Sequence, residues 1–107
     1  MITYNKLVRD YIPKIIEKDN KTCRTKILTN EQFEQEAKKK LYEELDEYMN
    51  ATNNKESLEE LADILELIHA LTGVHDASFE ELDAIRVKKK EKRGGFDDHV
   101  FLIDVDE

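Results

Sequence analysis

Residues 56–72 read ESLEELADILELIHALT, and the fold turns on how that stretch is placed. On a helix, Leu58, Leu61, Ala62, Leu65 and Ile68 share one side. Ile64, Leu67 and Leu71 share the opposite side, with Glu60 and Asp63 toward its N-terminal end. Glu59 and Glu66 lie between the two, where water is expected. An acidic pair spaced i, i+3 therefore sits on a face that should pack.

The upstream segment repeats the arrangement. With Phe33 at zero on a wheel, Ala37 falls near 40°, Leu41 near 80° and Tyr48 near 60° (about 100° per residue). Glu44, near 20°, lies inside that stripe, and Glu47, near -40°, lies at its edge. Thr29 or Asn30 caps this helix, which is expected to run to about residue 50. Residues 50–55 form a polar turn. The next helix is expected over about 56–72, stopping at Gly73. Asp76 or Ser78 caps another, reaching about Arg93 and ended by Gly94 and Gly95.

Outside these lie a short helix over 8–19, with Pro13 near its start, and two strand candidates. In 22–28, Cys23, Thr25 and Ile27 alternate with Thr22, Arg24 and Lys26; residues 99–105 are the second candidate, able to pair with the first. One proline and three glycines in 107 residues favour long helices. The expectation is an all-α fold: one domain over 1–107, an antiparallel four-helix bundle with a short β appendage near the two ends of the chain.

Composition narrows the function. The net charge of -8 argues against a nucleic-acid polymer as partner, since its backbone is bound by Lys and Arg. It does not oppose a single nucleotide, because a metal can reverse the local sign. Cys23 is the only cysteine, so a disulfide framework is excluded and a cytoplasmic location is expected. No stretch is apolar enough for a signal peptide or a membrane span. A chain this short buries a modest core alone, so a homodimer or homotetramer is expected.

Buried unpaired carboxylates are costly, and converging ones raise one another's pKa. Glu44, Glu47, Glu60 and Asp63 on two neighbouring helices call for a divalent cation. Oxygen donors select hard ions, with Mg²⁺ the expected cofactor and Mn²⁺ its substitute. Acidic i, i+3 pairs also arise from composition alone, as Glu31 and Glu34 or Glu56 and Glu59 show; the inward direction sets the other two apart. On the last helix, Phe79, Leu82, Arg86, Lys89 and Arg93 share a side, so an apolar stripe continues as a cationic one suited to a polyphosphate. The same cations also suit a solvated helix end. Gly94–Phe96 is a phosphate turn or simply a helix stop. His69, His75 and His99 are too scattered to form a centre; His69 reads as a hydrogen-bonded interior residue and Cys23 as a packing residue.

The segments Glu43-Glu44-Leu45-Asp46-Glu47 and Glu59-Glu60-Leu61-Ala62-Asp63 resemble the ExxE…ExxD signature of the all-α NTP pyrophosphatase superfamily. That group includes MazG-like enzymes, dimeric dUTPases and phosphoribosyl-ATP pyrophosphohydrolases. The opening Tyr4-Asn5-Lys6-Leu7-Val8-Arg9-Asp10, then Ile12-Pro13, and the ending Lys89…Arg93-Gly94-Gly95-Phe96 are similar to a MazG-like, phosphoribosyl-ATP pyrophosphohydrolase-like branch. Tyr11 departs from the lysine usual there. The resemblance implies Mg²⁺ on the four acids and hydrolysis between the α and β phosphates, giving a monophosphate and pyrophosphate. It implies Glu44 or Glu47 as the base, Lys89 and Arg93 at the phosphates, Arg86 more weakly, and nucleotide contacts from Asn5, Lys6 and Arg9. The alternatives are a phosphoribosyl-ATP hydrolase of histidine synthesis and a non-catalytic helical module that senses a nucleotide or binds a partner.

Overall fold

A helix starts where something accepts hydrogen bonds from its first free N–H groups, and three helices here start that way. In the computed structural model, which describes residues 2–106, the Thr29 hydroxyl accepts from Gln32 N–H at 3.2 Å while the Gln32 side chain accepts from Thr29 N–H at 3.1 Å. This reciprocal box opens α2, Asn30–Met49. Asn53 accepts from Glu56 N–H at 2.8 Å and opens α3, Asn54–Val74. Ser78 and Glu81 form a second box that opens α4, Phe79–Arg93. The remaining helix, α1, spans Ile12–Lys18; Pro13 sits in its first turn, where a missing N–H costs nothing.

The long helices lie where the sequence puts them, with three corrections. Residues 22–28 and 99–105 form no strand among the described residues. Alternation alone cannot make a strand, since the edge N–H and C=O groups need a ladder partner, and these two segments do not pair. Ile27 is 97% exposed and Phe101 87%. Next, α3 does not stop at Gly73 but runs through it to Val74. Finally, α1 begins at Ile12 rather than residue 8, leaving Val8 in the preceding coil.

Helix α3 runs antiparallel to α2 and packs along it; α4 meets α3 only over a short stretch, where His69 and Phe79 stack with centroids 3.6 Å apart. Helix α1 makes no helix–helix contact among the described residues. The result is an antiparallel pair with one splayed helix rather than a closed four-helix bundle. Ala37 is the one fully buried apolar residue described. His69 is exposed and covered by a ring on one face, not interior, and Cys23 is an exposed free thiol rather than a packing residue. No helix is long and apolar enough to cross a membrane.

Two glycines test this description. Gly73 is helical and a Cβ built on it meets nothing within 4 Å, so Gly73→Ala should raise stability by roughly 0.5–1 kcal/mol. Gly94 ends α4 at φ 84°, a conformation costly for any other residue, so Gly94→Ala should lower it. Urea unfolding followed by circular dichroism reads both, and opposite signs are expected.

Candidate metal centre

Packing α3 on α2 decides which carboxylates lose water. On α3 the half-buried positions include Glu60, Asp63, Ile64, Leu67 and Leu71, so the inward face is the one carrying the acids. On α2 they include Phe33, Leu41 and Tyr48, with Ala37 and Glu44 buried. Glu44 is 7% exposed. One carboxylate oxygen each from Glu44, Glu47 and Glu60 lies within 4.8 Å of the others.

The donors present do not satisfy these acids. Glu44 Oε2 and Glu60 Oε2 are both fully buried and neither has a hydrogen-bond partner. Lys40, one helical turn before Glu44, sits 3.8 Å from Glu44 Oε1 and 3.9 Å from Glu43, so it compensates part of one carboxylate. Lys40 was absent from the sequence-derived site, although its i, i+4 spacing to an inward glutamate was visible there.

The electrostatic outcome follows. Desolvation pushes Glu44 up from its ordinary value of 4.5 to about 7, helped by the neighbouring Glu60 carboxyl and by the charges of Glu47 and Asp63. Glu60 is also raised: the neighbouring Glu44 carboxyl pulls it down, but desolvation, Glu47 and Asp63 outweigh that. A proton on Glu44 gives two buried acceptors one donor to share.

Asp63 stands apart from the triad. Its Oδ1 accepts from Arg9 at 2.6 Å, across 54 residues of sequence. Arg9, expected as a nucleotide contact, thus lies against the acidic cluster, and Asp63, Glu66 and Glu44 all raise its pKa after the bond itself. The pair is half-exposed, which limits its own worth to roughly 0.2–1 kcal/mol. Its effect is positional: it brings the N-terminal segment to α3.

The other expected contacts lie away from the acidic cluster. Lys89 and Arg93 line a shallow groove with Lys88, Glu91 and Lys92 at the C-terminal end of α4. Arg86 is paired with Asp83 of its own helix at 2.7 Å. Asn5 and Lys6 are exposed, Asn5 at φ 45° and Lys6 with its ammonium 5.8 Å from the Tyr4 ring centroid. Gly94–Phe96 also lines a small surface depression, with residues 97–100.

Three carboxylates that converge, two buried oxygens without donors and one pKa near neutrality fit a hard divalent cation, which supplies the charge that Lys40 and Arg9 do not. No family model matches the chain, and neither a curated protein nor a solved structure matches it.

A metal-free pH titration checks the centre. The folded protein holds the Glu44 proton up to about pH 7, whereas the unfolded chain releases it near 4.5. Between those values the folded state binds more protons, so stability in chelator should fall as pH rises and level off above about 7. Glu44→Gln should flatten this slope and be more stable than wild type at alkaline pH in chelator. Mg²⁺ should raise the unfolding midpoint of wild type there and leave that of Glu44→Gln unmoved.

Proposed function

We propose that the chain is a Mg²⁺-dependent nucleotide pyrophosphohydrolase, splitting the α–β phosphoric anhydride of a nucleoside triphosphate or related nucleotide. The observation that carries the reading is the convergence of buried Glu44, half-buried Glu60 and exposed Glu47, with two buried oxygens of the first two lacking a donor. The ExxE…ExxD resemblance supplies the reaction class, and the segments in which it lies are those that form the triad.

Glu44, Glu47 and Glu60 would hold the ion, with Asp63 joining from the next turn of α3. When bound, the cation polarises phosphate oxygens and lowers the pKa of a water. Glu44 or Glu47 accepts the proton of the attacking water as its oxygen bonds to the α phosphorus. The bond between that phosphorus and the bridging oxygen breaks, and pyrophosphate departs with the bonding pair. Lys89 and Arg93, which line a separate groove on α4, are assigned to the departing pyrophosphate by the resemblance alone. Arg9, against Asp63, supplies a cation on the rim of the acidic cluster.

Pyrophosphate release across canonical and damaged nucleotides, with and without Mg²⁺, tests the reading. Turnover is expected only with Mg²⁺ or Mn²⁺. Glu44→Gln and Glu60→Gln should each lower kcat at least about 100-fold, the scale of losing a base or a ligand. Glu59→Gln, on the solvent side of the same turn, should leave it near wild type. Tight nucleotide binding without turnover would replace the hydrolase with a nucleotide-sensing module. A single strong activity on phosphoribosyl-ATP would move the enzyme to histidine synthesis.

A further inference from the structure

A single contact ties the first part of the chain to the long helices. Among the described residues, the only hydrogen bond joining residues 2–28 to α2, α3 or α4 runs from the Arg9 guanidinium to Asp63 Oδ1 at 2.6 Å. Arg9 lies in coil just before α1, and α1 packs on no other helix, so no helix packing fixes this arginine.

Its partner is the odd member of the acidic group. Asp63 sits one turn after Glu60 on the half-buried face of α3. Its charge reaches Glu44 and Glu60 and raises the pKa of each. Yet the oxygens that converge within 4.8 Å belong to Glu44, Glu47 and Glu60, without Asp63. Two cations therefore compete for one carboxylate. One is the guanidinium already on it. The other is the divalent ion that fits the buried, donorless oxygens of Glu44 and Glu60.

We propose that Arg9 is a placeholder on Asp63: a divalent cation entering the acidic centre takes Asp63 as a further ligand, displaces the guanidinium and releases the N-terminal segment. The exchange rests on the metal-centre reading of Glu44, Glu47 and Glu60. Its direction follows from the two cations. A guanidinium and a divalent ion on one carboxylate repel each other. The Arg9 and Asp63 side chains are 55% and 38% exposed, so water screens their pair and holds it weakly. Arg9 cannot relieve the repulsion by losing its proton, since a guanidinium stays charged; it can only move. Once free, its planar fork is matched to phosphate oxygens. Loading of the ion thereby turns the tether of the N-terminal segment into a cation for an anionic ligand.

Calorimetric titration of the full chain with Mg²⁺, without nucleotide, tests the exchange. Arg9→Met keeps the apolar stem and should bind the ion about 1.5–5-fold more tightly than wild type, the amount a half-exposed pair withholds. Asp63→Asn should bind it more weakly, and Arg9→Met added to Asp63→Asn should change nothing further. Equal tightening in both backgrounds makes Arg9 a source of general repulsion and overturns the exchange. An affinity that Arg9→Met lowers or leaves alone overturns it too. The arginine Nε–Hε resonances of the wild-type protein give a second readout. The Arg9 resonance should shift as Mg²⁺ is added, while that of Arg86, paired with Asp83 inside α4, stays in place. Mg²⁺ uptake with the Arg9 resonance unmoved overturns the exchange and leaves the metal centre standing. No uptake by wild type overturns both.

Discussion

The packing of α2 on α3 organises this chain, and it passes through buried carboxylates. Glu44 is among the most buried side chains described, and it faces Glu47 and Glu60, with the Lys40 ammonium near one oxygen only. Hydrophobic contact from Phe33, Leu41, Ile64, Leu67 and Leu71 must outweigh the cost of holding those acids together. Three things lower that cost: Lys40 near one oxygen, Arg9 on Asp63, and a proton retained by Glu44 to about neutral pH. Each is partial, since two oxygens still lack donors. A divalent cation removes the repulsion and the desolvation penalty together, which no arrangement of the present side chains does.

What was readable in the sequence is what is local. The caps Thr29 and Ser78 lie within three residues of the N–H groups they bind, so those helix starts follow from short windows; Asn53, inside the expected polar turn, opens α3 about two residues earlier than the sequence places it. The direction of Glu44 follows from helical period alone. The strand candidates failed because a strand is a relation between segments, and nothing within 22–28 records whether a partner will come. Gly73 misled for a related reason: glycine permits a helix stop without compelling one, and the hydrogen bonds of the last turn continue past it.

The candidate site divides along the same line. Helical spacing grouped Asp63 with Glu60, but its nearest partner is Arg9, 54 residues away. No spacing rule reports a contact at that separation. The reverse holds for Lys40, whose position one turn before Glu44 was legible and was passed over. Arg86 shows how a stripe overstates function: it shares a face with Lys89 and Arg93, yet Asp83, three residues back, takes its guanidinium.

The two faces of α3 have to be explained together. A helix at the edge of a finished fold needs one apolar stripe, and its opposite side is free to be charged. Here the side that meets α2 carries the acids together with Ile64, Leu67 and Leu71, and the opposite side carries the exposed Leu58, Leu61 and Leu65. This setting brings carboxylate oxygens into the α2–α3 seam and leaves Leu58, Leu61 and Leu65 exposed on the other side. The core is small: Ala37 is the one fully buried apolar residue described, and Leu58, Leu61 and Leu65 of α3 stay exposed. Acid convergence and an unfinished hydrophobic core are two consequences of one rotational setting of α3.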